Sequence, residues 1–220
     1  MKKSSQPANY YPIFLNLNGR KCVVVGGGQV ALRKVGVLLE CGARVRVISP
    51  APCSELTDLA RGGEILILAR EYRVGDLKGA FVAVAATNDN ETNLKVAEEV
   101  RENTGLVNVA DDADSSDFIV PSYLRRGNVT VAVSTAGRSP ALARKIRTML
   151  ERSLGDEYAA LALLIDGVRT EVKRQGIKVN GDAWQKALDL DLLTDLVRKG
   201  NDEKARAILL SNLERQRSNG

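Results

Sequence analysis

Histidine is missing from this chain of 220 residues. Its absence excludes histidine-ligated zinc, axial haem histidines and every Ser-His or Cys-His nucleophile pair. Acid–base chemistry falls instead to Asp, Glu, Lys, Tyr or Cys, and no metal set is expected. Cysteine is scarce: Cys22, Cys41 and Cys53 are an odd number without C-x-x-C spacing, which reads as reduced thiols of a cytoplasmic protein. Aromatics are few, with one Trp, five Tyr and three Phe. None interleaves with a basic run, so no nucleic-acid stacking platform is expected. No run of about 18 uncharged apolar residues is present, and no membrane span is expected. The opening MKKSSQPANYYPIF has two lysines but no apolar segment after them, so no secretory leader is expected either.

What is present is an ordinary globular balance, 44% hydrophobic and 27% charged, with a net charge of +5. The cationic surplus suits a small polyanionic ligand. Residues 21–34, KCVVVGGGQVALRK, are the most informative stretch. An apolar run ends at three glycines and passes into a helical pattern carried by Val30, Val35, Leu38 and Leu39. A strand leading into a helix N-terminus presents bare N–H groups and a positive dipole end, which suit a phosphate. Gly26 serves the tight turn, Gly28 lets a pyrophosphate approach the backbone, and Ala31 permits close helix–strand packing. The N–H groups of Gln29 and Val30 then face the pyrophosphate. This is the G-x-G-x-x-A form of the dinucleotide fingerprint, so a dinucleotide is the expected ligand. The plain alternative is a glycine-rich β–α turn without a ligand.

Apolar runs at 21–26, 44–48, 64–69, 80–86 and 106–109 read as strands, with helices at about 29–41, 54–61 and 89–103. Short, nearly continuous apolar strands separated by helices predict an α/β fold with a doubly wound parallel sheet of the Rossmann type. Gly42 and Gly105 are expected to close the helices before them. The second strand ends Ile48-Ser49-Pro50 without the acid that reads the NAD ribose, so this site alone leaves NAD and NADP open. Arg44 and Arg46 lie within that strand and need not face a ligand. After residue 110 comes an acidic loop, then strands at 117–122 and 128–134 joined through Arg125-Arg126-Gly127-Asn128. A helix at 140–153 follows, with Ser139 as its N-cap and Pro140 at its first position. The rest reads as three amphipathic helices at 156–175, 182–199 and 202–216.

Four segments together resemble the precorrin-2 dehydrogenase family, the siroheme-synthase type. They are YPIFLNLNGRKCVVVGGGQVALRK, AATND at 85–89, NVADDADSSDFIVPS at 108–122 and VAVSTAGRSPALARKIR at 131–147. The resemblance covers about residues 10–150. It implies NAD-dependent oxidation of precorrin-2 to sirohydrochlorin, and in some members insertion of ferrous iron into the product. It also implies a homodimer that exchanges the strands and helix after the nucleotide domain. The domains expected are therefore a dinucleotide-binding domain at 1–113, a dimerisation segment at 114–154 and a helical C-terminal domain at 155–220.

Cofactor contacts implied by the resemblance fall at the glycine loop, at Ser49-Pro50 and at Thr87-Asn88. Thr87-Asn88-Asp89 also suits a plain helix N-cap. Asp111 follows the fifth strand, where doubly wound folds bind ligands, and it matches the acid of the family's N-V-x-D motif. It is the candidate to accept the proton that leaves with dehydrogenation; Asp112 and Asp114 read as solvated loop acids. Ser134, Thr135, Gly137 and Arg138 form a small-residue loop feeding a helix N-terminus, a candidate cradle for the substrate's carboxylates. Family members often read serine-serine at Ser134-Thr135; the hydroxyl survives here. Iron insertion would fall to carboxylates or to the macrocycle itself. A non-enzymatic dinucleotide-sensing module is the competing class. Short-chain alcohol oxidoreductases fall away, because no tyrosine is followed four residues on by lysine.

Overall fold

The computed structural model describes residues 10–103 and 105–218. The leader expectation therefore rests largely on residues outside the described ones. The chain divides at Val120/Pro121 into two compact units.

The first unit carries β1 (Lys21–Val25), α1 (Gln29–Glu40), β2 (Arg44–Ile48), α2 (Ser54–Arg61), β3 (Ile65–Leu68), β4 (Val82–Ala85), α3 (Asn90–Glu102) and β5 (Leu106–Val109). The strands form one parallel sheet in the order β3-β2-β1-β4-β5. That is the doubly wound arrangement expected, with its switch point between β1 and β4. Alternate residues face opposite sides. Val24, Val45, Val47 and Val84 pack against Ala31, Val35 and Leu38 of α1 and Leu56 of α2. Val23, Val25, Ala83, Ala85 and Val107 meet Val96, Ala97 and Val100 of α3. Burial on both faces explains why these strands read as continuous apolar runs.

The helix ends follow the glycines. Gly42 takes φ +73, its N–H donates to Leu39 O at 2.8 Å, and the Ala43 N–H donates to Leu38 O at 3.0 Å. This paired closure is a Schellman motif. Gly105 also closes its helix, donating to Val100 O at 3.0 Å. A Cβ there would lie 2.8 Å from Ala80 O and from Val100 Cγ1, so space as well as closure requires glycine. Between β3 and β4 the chain crosses without a helix. Arg70 grips Asp76 through both guanidinium arms, at 2.7 and 2.8 Å, and the buried Glu99 accepts from the Tyr72 hydroxyl and from the Leu77 N–H.

The second unit opens with an antiparallel hairpin of β6 (Ser122–Arg126) and β7 (Val129–Val133), turning through Gly127 and Asn128. The strand expected at 117–122 is therefore displaced. Residues 117 and 118 instead line β5: the Asp117 N–H donates to Val107 O at 2.9 Å, and its carboxylate accepts from the Val107 N–H at 2.9 Å. Pro121 has no N–H to continue a ladder, so hairpin pairing begins at Ser122. Helix α4 (Pro140–Ser153) packs on the hairpin.

Then come α5 (Glu157–Arg174), α6 (Gly181–Ala187), α7 (Leu190–Arg198) and α8 (Asp202–Ser218) around a core of Leu161, Val168, Leu193 and Leu209. The single helix expected over 182–199 is two. Asp189 turns its carboxylate to the Leu192 N–H at 3.1 Å, starting α7 afresh.

Candidate functional site

The register brings the carboxyl ends of four strands level. Val25 lies opposite both Ile48 and Ala85, and Ala85 lies opposite Val109. Pairing runs one residue further: Gly26 N–H to Ile48 O at 2.9 Å, Ala86 N–H to Val25 O at 2.8 Å and Ala110 N–H to Ala85 O at 2.8 Å. Gly26, Ser49, Ala86 and Ala110 thus share one row, with Thr87 and Asp111 next beyond it. Two strand spacings, about 10 Å, separate the glycine loop from Asp111.

Within that loop the three glycines do different work. Gly26 has φ +128, and a Cβ on it would stand 2.2 Å from Ala86 O. Gly27, which the fingerprint leaves unspecified, is equally constrained, since its Cβ would lie 2.3 Å from Ser49 Oγ. Gly28 faces open space, with no heavy atom within 4 Å of such a Cβ. It is the N-cap of α1, where no side chain caps the helix and no acid sits in the first turn. By contrast Asp89, Ser139, Asn180 and Asp189 cap α3, α4, α6 and α7 with their own side chains. The Gln29 amide reaches aside to Glu55 at 3.2 Å, and hydrogen bonding holds the Glu55 carboxyl below its usual range. No side chain caps the backbone at exposed Gln29 and half-buried Val30, while Ala31 is fully buried against the sheet. These features fit a dinucleotide pyrophosphate.

Along the rest of the edge, Ser49 is buried and accepts from the Ala51 N–H at 3.2 Å, shaping the loop that Gly27 packs against. Pro50 is exposed at the rim. Arg44 donates to Gly19 O at 2.8 Å. Arg46 lines a shallow pocket of about 410 Å³ with Lys21 and Glu64, beside the amino-terminal halves of β1–β3. Neither arginine serves the carboxyl edge. The Thr87 hydroxyl donates to Asn93 Oδ1 at 2.8 Å, and Asn93 Nδ2 returns to Thr87 O at 3.1 Å. Asp89 is the N-cap of α3, which leaves Asn88 exposed between the two.

Asp111 is exposed and holds φ +61, one of two described non-glycine residues with positive φ. Backbone strain of this kind gathers at functional sites. Asp112 is more than a solvated acid: its Oδ1 accepts from the N–H groups of Asp114 and Ser115, at 3.1 and 3.0 Å. The Ser115 side chain, together with those backbone bonds, pulls its carboxyl below the usual range. Asp114 is exposed. Lys34 is not among the expected site residues, yet its ammonium donates to Asn108 Oδ1 at 2.7 Å. Two signals stood in the sequence: a lysine in the apolar stripe Ala31, Val35, Leu38, and an asparagine in the apolar strand LVNV. Among the described residues no group of three or more Cys, Asp or Glu is arranged to hold a metal ion.

In the second unit, Ser134 Oγ accepts from the Ala136 N–H at 3.0 Å and Thr135 Oγ1 from the Ser139 N–H at 3.0 Å. Ala136 and Gly137 both take positive φ, 52 and 78. Arg138 is exposed beside them. Ser139 caps α4 through the Leu142 N–H at 3.2 Å, so part of the anion-binding capacity expected there is already taken.

Residues 13–122 match a family model for NAD(P)-binding proteins, and residues 126–153 match the central segment of sirohaem biosynthesis proteins. The chain belongs to this NAD(P)-binding family. It is 38% identical to the siroheme synthase of Thioalkalivibrio sulfidiphilus over 94% of this chain and 42% of that protein. It is 40% identical to the siroheme synthase of Chromobacterium violaceum over 90% of this chain and 42% of that one. The chain thus spans less than half the length of these relatives. A solved structure of SirC, precorrin-2 dehydrogenase, matches with a TM-score of 0.67 at 26% identity, over 94% of this chain and 100% of that one. The family drawn from the four sequence segments, the fold and the nicotinamide cofactor are all borne out. No described helix is long and apolar enough to cross a membrane.

Proposed function

We propose that this chain binds NAD at the carboxyl edge of the sheet and dehydrogenates precorrin-2 to sirohydrochlorin, with Asp111 accepting the substrate proton. The observation that carries the reading is Asp111 itself, an exposed carboxylate in strained backbone one residue beyond the strand-end row that starts at the glycine loop. The uncapped N-terminus of α1 and Gly28 hold the pyrophosphate through backbone N–H groups. Ser49-Pro50 and Thr87-Asn88 border the rest of the dinucleotide. Bound NAD supplies a hydride acceptor. Asp111 removes the proton that departs with the hydride, since the chain has no histidine to do so. Within the second unit by itself, Ser134, Thr135, Gly137 and Arg138 form a candidate carboxylate cradle, with the exposed Arg138 as its charged contact. The family resemblance, the siroheme synthase relatives and the SirC likeness support this assignment.

The protein is further proposed to act in the cytoplasm, in keeping with its free cysteines, and as a homodimer joined through residues 114–154. A two-stranded hairpin is marginal by itself, and Leu142 and Met149, seven residues apart on α4, are 51% and 59% exposed. Ferrous iron insertion stays outside the proposal, because no observation on the described residues favours it.

The test is absorbance during incubation with precorrin-2 and either NAD or NADP. Reduced nicotinamide and sirohydrochlorin should rise together, faster with NAD. Dinucleotide binding with no spectral change on adding precorrin-2 would identify a sensor module instead.

A further inference from the structure

Lys34 sits where an apolar residue would serve stability better. It lies on α1 between the fully buried Ala31 and Val35, and the partner of its ammonium is a neutral amide, Asn108 Oδ1 at 2.7 Å. An ammonium half-withdrawn from water beside a neutral acceptor is costly to retain. Burial lowers its pKa, the neighbouring Arg33 adds to this, and the nearby Asp111 carboxylate opposes both.

Asn108 is 7% exposed, and its side chain has one further bond among the described residues: its Nδ2 donates to Phe118 O at 3.1 Å. It lies three residues before Asp111, and Phe118 lies seven after. One hydrogen-bonded chain thus runs from the helix of the glycine loop, through the strand entering the acidic loop, to the segment leaving it. Asp112 and Ser116 brace the interior of that loop, and Val107 and Arg101 hold its outgoing leg at Asp117 and Ser115, while its tie to α1 runs through Lys34.

We propose that Lys34 is a positioning residue for the dehydrogenation, fixing the Asn108 amide so that the loop is registered against α1 and Asp111 is held in its left-handed conformation. This rests on the proposed role of Asp111 as proton acceptor.

The experiment compares full-length Lys34→Met, Lys34→Arg, Asn108→Asp, Asp111→Asn and the Lys34→Met/Asp111→Asn pair. Readouts are kcat, KM for precorrin-2, NAD Kd by calorimetry, and amide hydrogen exchange over residues 109–118. Lys34→Met should lower kcat roughly 10–100-fold, the cost of a displaced catalytic group. KM and NAD Kd should stay within about threefold, and the loop amides should exchange faster. Lys34→Arg should recover most of kcat. The pair should be no slower than Asp111→Asn alone, because residues acting as a unit are not additive. Asn108→Asp keeps a partner for Lys34 but cannot donate to Phe118, so it should lose kcat as Lys34→Met does; it answers the question if Lys34→Met does not fold. Unchanged kcat in either variant overturns the proposal. So does a loss confined to NAD Kd, which would make Lys34 a dinucleotide ligand. Full turnover by Asp111→Asn would instead remove the role of Asp111, and the present proposal with it.

Discussion

Gly26 and the carbonyl oxygen of Ala86 approach so closely that a methyl group on Gly26 would stand 2.2 Å from that oxygen. Two slots later, Gly28 meets no heavy atom within 4 Å of the same construction. Gly26→Ala should therefore damage the fold, by more than about 2 kcal/mol, through a backbone clash at a positive φ. Gly28→Ala should cost at most about 1 kcal/mol, the value of a weaker N-cap, yet weaken NAD binding about tenfold or more because the methyl occupies the approach of the pyrophosphate. Urea unfolding and calorimetry with NAD separate the two. Equal NAD affinity in Gly28→Ala and wild type would remove the pyrophosphate from this loop.

Asp111 offers a test in which stability and turnover move apart. Glycine adopts φ +61 without the penalty a side chain incurs. Asp111→Gly should unfold at an equal or slightly higher temperature, gaining up to about 1 kcal/mol. Its kcat should fall about 100-fold or more, while NAD affinity is retained. Thermal melts and steady-state rates with precorrin-2 check both halves. A variant that melts lower and turns over normally would make the strained aspartate a structural device.

Asp76 sets an acid-dependent increment of stability. The two-armed contact from Arg70, and the Arg73 N–H at 2.8 Å, hold its carboxyl below the ordinary range. A carboxyl with a lowered folded pKa stabilises above its unfolded value near pH 4, and the increment disappears as pH falls through the folded value. Asp76→Asn should cost roughly 1–3 kcal/mol at pH 7. The gap from wild type should narrow from about pH 4 downward. Urea midpoints at pH 7 and pH 3 provide the measure, and a gap independent of pH would refute the ion-pair origin.

Leu142 and Met149 test the assembly. Paired substitution to glutamate puts two charges on the exposed apolar edge of α4. The sedimentation coefficient should drop from that of a dimer to that of a monomer, with unchanged NAD affinity in the first unit. A dimer that survives both charges would place the interface elsewhere.

Much of the site is legible in the sequence. The turn at Gly26, the small Ala31 and the strand-end place of Asp111 follow from apolar runs broken by glycine, because chain direction in a parallel sheet puts every strand end on one edge. Gly27 was not readable, since its restriction comes from Ser49, twenty-two residues away. Asp112 looked like any loop acid until its oxygen was found on two backbone N–H groups. The displaced hairpin has the same kind of cause. The alternating pattern of 117–122 suits a strand, but Asp117 bonds Val107 and Pro121 cannot donate.

Local chain chemistry was enough for the order of strands and helices, the helix caps and the class of ligand, because periodicity, glycine freedom and dipole direction act over a few residues. Which polar groups would be spent on structure and which left for chemistry depended on partners distant in the chain. Lys34 meeting Asn108, and Asn108 meeting Phe118, are contacts between segments that no window of sequence contains. Folding brings them together, and through that meeting the loop carrying Asp111 is tied to α1.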